Sequence, residues 1–210
     1  MKRKIRLSLC VFFAFPFSLF AQDWQCLRDG VTAAFVDTTS IPVYYTKHTM
    51  WTVNIDSVRV HEGWTYYYGF SMIRPISETN NGINGIEFCY DAYGPSRIGF
   101  AMSALGGENF FFNSHGKAIR ISTLKSPGQS WICCGIDDTT HLYAKVISNQ
   151  PETILGVSDS VKYITFQAKN AINGDSVGHP MNGQQFVLSK HFGMVTLYDF
   201  YDFPAYGSGP

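Results

Sequence analysis

TVNIDSVRVHEGWTYYYGFSMI, residues 52–73, decides the fold class of this chain. Within it Trp64, Tyr66, Tyr68, Phe70 and Met72 share one face at period two, while Thr65, Tyr67 and Ser71 share the other. That alternation is the mark of a β-strand, whose successive side chains point to opposite faces. Residues 52–61 are also β-like, and Glu62-Gly63 between the two runs is a short turn, so the stretch predicts an antiparallel hairpin. Val53 and Ile55 occupy one phase of the first strand and Val58 and Val60 the opposite one. The slip at Asp56-Ser57 predicts a bulge or kink that bends the sheet.

The same pattern recurs outward along the chain. A polar loop is expected at 75–85, around Asn80-Asn81-Gly82, and strands at 85–92 and 97–105. Residues 110–112 and 118–123 flank the turn-forming Asn113-Ser114-His115-Gly116. Residues 131–135 and 142–148 are joined by the polar 137–140, and 160–169, 184–190 and 194–201 close the series. No stretch has a convincing helical period. Short strands broken by turns every eight to twelve residues predict an all-β protein. Its antiparallel strands would form a curved sheet, sandwich or half-barrel, with little or no helix after the first 21 residues. Without an internal repeat or a Pro/Ser-rich linker, 22–204 reads as one β-rich domain, and 205–210 as a flexible tail or truncation point.

Lys2, Arg3, Lys4 and Arg6 precede a fourteen-residue apolar run, 7–20, that ends near the small residue Ala21. Charge, length and flank are those of a secretory signal peptide, 1–21. The run is shorter than the roughly twenty residues a transmembrane helix needs. The chain carries 16 basic and 16 acidic residues. Four of the basic ones and no acid lie in 1–21, so the rest holds 12 against 16, a net of −4. A mildly acidic chain without a basic cluster is a poor candidate for nucleic-acid binding.

Past residue 21 stand Cys26, Cys89, Cys133 and Cys134. In an exported protein four cysteines permit three pairings, and Cys26–Cys89 is the one weighed here. Cys133 and Cys134 are adjacent, so on a regular strand they point to opposite faces and at most one faces the core. No Cys-x-x-Cys spacing exists for zinc.

Several pieces form an ordered set: FFFNSHGKAIRIST (110–123), GQSW (128–131), AKV (144–146), LGVSDSVK (155–162), LSKHFGMV (188–195) and DFYDFP (199–204). The set resembles a β-rich region of uncharacterised secreted and surface proteins of Gram-negative bacteria that use the type IX secretion route. The resemblance covers roughly 105–204. It implies a periplasmic or outer-surface address; such regions are often followed by a C-terminal sorting domain, and one is not expected within residues 205–210. It implies no residue-by-residue function.

Chemistry-bearing motifs are sparse. Gly128-Gln129-Ser130-Trp131-Ile132 opens like a nucleophile elbow but has Ile132 where the second glycine belongs. Ser130 therefore reads as a strand-entry residue. His48, His61, His115, His141, His179 and His191 are scattered and unpaired at metal-ligand spacing. Asp137-Asp138 and 170–175 lack the alternating oxygens of a calcium loop and read as solvated turns. Asp159 to Lys162 reads as a strand opening with a charged rim. No catalytic residue, metal ligand or cofactor is assigned.

Trp64, Tyr66, Tyr68 and Phe70 are the candidate ligand-binding residues. Read plainly, their face is the core side of the sheet. Read functionally, it lines a cleft for lipid or sugar, since Trp and Tyr combine apolar bodies with polar tips. The expected function is an exported non-enzymatic β-module, structural, adhesive or part of a cell-surface protein. The alternatives are a carrier of a hydrophobic ligand or lipid, and a secreted hydrolase with catalytic groups on loops such as 75–85. A lipid, a glycan or an envelope protein would be its partner.

Overall fold

The computed structural model describes residues 24–27, 33–41, 45–71, 76–80, 97–99, 101–196 and 198–204. Among them there is no helix: the protein is all-β, two antiparallel sheets with one curled into a half-barrel. Twelve strands follow in chain order among these residues. They are β1 (Ala33–Ile41), β2 (Tyr45–His61), β3 (Trp64–Ser71), β4 (Ile76–Asn80), β5 (Ala101–Leu105) and β6 (Glu108–Phe112). Then come β7 (Ala118–Ser122), β8 (Ser130–Gly135), β9 (Thr140–Ile154), β10 (Val157–Asn170), β11 (Gln185–Ser189) and β12 (Gly193–Met194). The first sheet runs β1-β2-β3-β5-β6-β7, with β4 also on β2, and the second runs β12-β11-β10-β9-β8.

Each sheet is built on a long hairpin with a two-residue turn. Glu62 and Gly63 (φ 50° and 82°) close one, and Leu155 and Gly156 (φ 49° and 80°) close the other. Two consecutive positive φ values match the right-handed twist of the flanking strands, which is why such turns suit tight hairpins. Of the expected bulge or kink at Asp56-Ser57, no inserted residue is found, though the pairing skips Asp56. β2 keeps one register from Tyr45↔Asn80, through Asn54↔Ser71, to His61↔Trp64. Ile55 and Val58 both pack against the core without an inserted residue, as the coiling of the sheet allows. That same register makes 76–80 a strand, where a polar loop was expected, since β4 simply extends the returning arm along β2. β1 was not anticipated; it pairs the outer half of β2 from Ala33↔Val53 to Ile41↔Tyr45.

The predicted strand at 97–105 begins only at Ala101, because Arg97 and Ile98 form a turn. Gly99 follows at φ 92°, where any Cβ would collide with the Phe112 carbonyl oxygen. The predicted strand at 194–201 stops at Met194; Val195 and Thr196 bend, and residues 200–204 form a turn. The turns at 113–116 and 137–140 form as expected. The strand expected at 85–92, residues 1–21 and 205–210, and Cys89 lie outside the described residues.

The core lies between the sheets. Cross-strand pairing aligns Val58, Tyr67, Met102, Phe111 and Ile119 in one row across the first sheet. From the second sheet Leu142, Ala144, Val146, Ile164, Phe166, Ala168 and Phe186 face it, all fully buried. The terminal segment fills the remaining space. Tyr198, Phe200 and Phe203 are buried and form one aromatic cluster with Phe111, Phe166 and Phe186. Burial of a single phenylalanine contributes about 1.5–3 kcal/mol, so these rings are a principal part of the adhesion between sheets.

Cys133 and Cys134 both enter the core, contrary to the alternation rule. The register shifts between Ile132↔Tyr143 and Cys134↔Leu142, so Cys133 is an extra residue on β8. Such a bulge rotates the strand locally and lets two neighbours face inward. Both are free thiols, as is the buried Cys26, while Cys89 lies outside the described residues.

Candidate functional site

The aromatic face of β3 is turned away from the core. Tyr67 is its buried tyrosine, 6% exposed, while Trp64 and Tyr66 are half-buried and Tyr68 is 39% exposed. The plain reading of Trp64, Tyr66 and Tyr68 as the core side is thereby corrected. What decides the matter is the pairing of Tyr67 with Val58 and Met102, which continues into Phe111 and Ile119. The backbone of Phe70 belongs to β3, but its side chain lies outside the described residues.

The outward rings form a continuous strip. Tyr66 and Tyr68 lie 6.3 Å apart at 12°, and Trp64 lies 6.3 Å from Tyr66 at 31°. Phe110, on β6, extends the strip, with its ring 5.8 Å from Trp64. It shares the outward face because Tyr66 pairs with Ser103, Ser103 with Phe110, and Phe110 with Arg120. Sequence reading missed Phe110, whose membership depends on the pairing of β3 with β5 and β6.

A polar border adjoins the strip. Arg120 Nε donates to Glu108 Oε2 at 2.7 Å, and Ser122 Oγ donates to Glu108 Oε1 at 2.7 Å. Partial burial opposes ionisation of Glu108, yet the hydrogen bonds from Arg120 and Ser122 hold its pKa below the ordinary carboxylate value. The carboxylate is therefore ionised at neutral pH. The strip and its border together present flat apolar rings beside oriented hydrogen-bonding groups.

A different polar group was read as a rim and lies inside. Lys162 is 3% exposed, on the inward face of β10. Its Nζ donates to the Thr123 carbonyl oxygen and stands 4.5 Å from the centre of the Trp24 ring. Burial drives its pKa down to about 8, against the opposing pull of nearby Cys26. Burial in turn raises the pKa of Cys26, so that thiol stays protonated. The same segment is tied down by Thr123 Oγ1 donating to the Trp24 carbonyl at 2.8 Å and Met194 N–H donating to the Cys26 carbonyl at 3.0 Å. This cluster anchors residues 24–27 to both sheets.

The grouping that comes nearest to a hydrolytic arrangement is Asp159, Ser189 and His191. Ser189 Oγ donates to Asp159, and His191 contributes its backbone N–H to the same carboxylate at 2.9 Å. Ser189 also accepts from Phe192 N–H at 2.8 Å and is fully buried. A nucleophile needs a base to take its proton and a path to substrate; here the three residues clamp the turn after β11. Ser130 begins β8, as read from the sequence. Among the described residues no three His, Cys, Asp or Glu side chains are grouped to hold a metal ion.

No family model, no curated protein and no solved structure matches this chain.

Proposed function

We propose that the protein is an exported, non-enzymatic adhesive β-module that holds a glycan surface through the strip Trp64, Tyr66, Tyr68 and Phe110. The observation that carries this reading is the outward orientation of the strip, with Tyr67 alone among the three tyrosines turned into the core. Aromatic rings offer a large apolar area while their polar tips remain solvated. The C–H faces of a pyranose fit such rings, and the Glu108–Arg120 border supplies partners for its hydroxyls. Export rests on the charge and apolar pattern of residues 1–21.

A carrier of a hydrophobic ligand needs an apolar cavity. The space between the sheets is filled by Phe111, Phe166, Phe186 and Phe200, which gives that alternative less support. The test is a sedimentation assay of residues 22–210 with peptidoglycan sacculi, chitin and cellulose, with phosphatidylethanolamine–phosphatidylglycerol vesicles as the lipid arm. Retention on one polysaccharide, lost in Trp64→Ala and Tyr66→Ala, is expected. Retention on vesicles alone, or on none of the four, overturns the reading.

A further inference from the structure

The outward face of the second sheet carries a groove of about 370 Å³. Its walls come from three neighbouring strands: Ser130 on β8, Tyr143 and Lys145 on β9, and Thr165, Gln167 and Lys169 on β10. The ladder fixes their layout. Ser130 pairs with Lys145 and Lys145 with Thr165, forming one row. Tyr143 pairs with Gln167 in the next row, and Lys169 lies one row further, opposite His141. The backbones of the two lysines are thus two rows apart, about 14 Å along the strands at ~3.4 Å per residue, with Tyr143 and Gln167 between them, and the Lys169 ammonium reaches back toward Tyr143.

The charge of this groove has one sign. Two of its six polar side chains are ammonium groups and none is a carboxylate. The ion pairs among the described residues are His61–Glu62 and Arg120–Glu108, and neither groove lysine joins them. Lys169 Nζ instead sits 5.4 Å from the centre of the Tyr143 ring. The side chains of Ser130, Tyr143, Lys145 and Thr165 make no hydrogen bond with another described residue. Residues 22–210 carry four more acids than bases, so an unneutralised basic groove runs against the charge of the molecule. Unpaired cations, solvated hydroxyls and an accessible aromatic ring together are complementary to an anion that also has hydroxyls and a C–H face.

We propose that this groove binds an acidic oligosaccharide, a chain of pyranoses bearing carboxylate or sulfate groups. Lys145 and Lys169 receive the charges at the two ends. Tyr143 supports a ring between them, and Ser130, Thr165 and Gln167 bond its hydroxyls. Two ammonium groups carried on neighbouring strands, one of them drawn toward Tyr143, suit a chain with recurring charge better than a single charged unit. This inference does not rest on the aromatic strip of the first sheet, which lies on the other sheet.

Isothermal titration of residues 22–210 with trigalacturonic acid and with a heparin-derived tetrasaccharide tests it. The fully methyl-esterified trigalacturonate is the neutral control, and hexaglutamate is the non-sugar anion. Binding of at least one acidic saccharide is expected, with the ester and the peptide at least tenfold weaker. Lys145→Gln and Lys169→Gln should each weaken it about tenfold, which corresponds to roughly 1.4 kcal/mol. Tyr143→Ala should weaken it too, while Lys117→Gln, the same charge loss outside the groove, and Trp64→Ala should not. All of these residues are solvent-facing, and circular dichroism checks that each variant folds. Equal binding of ester and acid, equal binding of hexaglutamate, or no binding of either acidic saccharide overturns the proposal. Loss of binding in Trp64→Ala with retention in Lys145→Gln would assign the ligand to the strip instead.

Discussion

The ring of Phe200 stacks on that of Phe111 with centroids 4.0 Å apart and planes 5° from parallel. Phe111 belongs to the first sheet, and Phe200 also meets Phe186 of the second at 6.0 Å and 70°. The terminal turns therefore join the sheets, and removing one ring should be costly. Phe200→Ala is expected to lower unfolding stability by about 3–5 kcal/mol, as for other fully buried phenylalanines. Urea denaturation followed by tryptophan fluorescence measures it. Val60→Thr, at a position 72% exposed, should change the midpoint little. A loss under ~1 kcal/mol for Phe200→Ala would mean that the terminal segment does not hold the sheets together.

The strands of this fold were legible because alternation is local. Residues 64–68 and 118–121 declare their period within a few positions. What fills the space between sheets was not legible, since Phe200 was read as part of a strand when it stacks on a ring 89 positions earlier. The direction of the Trp64 face was misread for the same reason. Four aromatics outweigh one tyrosine in a local count, yet burial depends on what Met102, Phe111 and Ile119 place behind Tyr67. Lys162 left a readable trace. It shares the phase of Ile164, Phe166 and Ala168, all buried, so the alternation already pointed its side chain inward.

The two faces of β3 should separate in stability as well as in binding. Tyr67→Ala removes a buried ring and is expected to cost about 3–5 kcal/mol. Tyr68→Ala removes a ring beside solvent and should cost under ~1 kcal/mol while weakening glycan retention. Thermal unfolding of the two variants side by side decides it. Equal losses would show that both faces are packed, and the strip would no longer be a surface.

Lys162 should make stability depend on pH above neutrality. Burial lowers its pKa from 10.5 to about 8, so between these values the unfolded chain holds a proton that the folded chain has released. Stability then rises with pH, by at most about 1.4 kcal/mol per unit for one proton. The buried thiols act in the opposite sense. Burial raises the pKa of both Cys26 and Cys133, so above about 9 the unfolded thiols ionise while the folded ones do not, and stability falls. The urea midpoint is therefore expected to climb from pH 7 to a maximum near 9 and then decline. Lys162→Met should abolish the climb and leave the decline. A wild-type midpoint that falls steadily from pH 7 would contradict the buried ammonium.

Those thiols should also be chemically silent. Cys26, Cys133 and Cys134 are buried, and thiolate rather than thiol is the reactive form. Iodoacetamide at pH 8 is expected to leave all three unmodified in the native protein and to alkylate all three in 6 M guanidinium, as read by peptide mass spectrometry. Labelling of Cys134 under native conditions would place the β8 bulge at the surface.

The hairpin turns carry an improvable strain. Leu155 sits at φ 49° and is 86% exposed, and Glu62 sits at φ 50°. A left-handed backbone costs an ordinary L-residue about 1–2 kcal/mol, whereas asparagine tolerates it through local hydrogen bonding. Both residues occupy the first position of a two-residue turn followed by glycine, where Asn-Gly is the favoured pair. Leu155→Asn should therefore stabilise the protein by about 0.5–1 kcal/mol, and Glu62→Asn by a similar amount. Gly156→Ala, at φ 80°, should destabilise it by at least as much. Because the turns belong to hairpins of separate sheets, the two gains should add within about 0.3–0.5 kcal/mol in the double variant. A neutral or negative effect of Leu155→Asn would mean that the exposed leucine makes a contact that compensates its strained backbone, and the tip of the β9–β10 hairpin would then be the place to look for it.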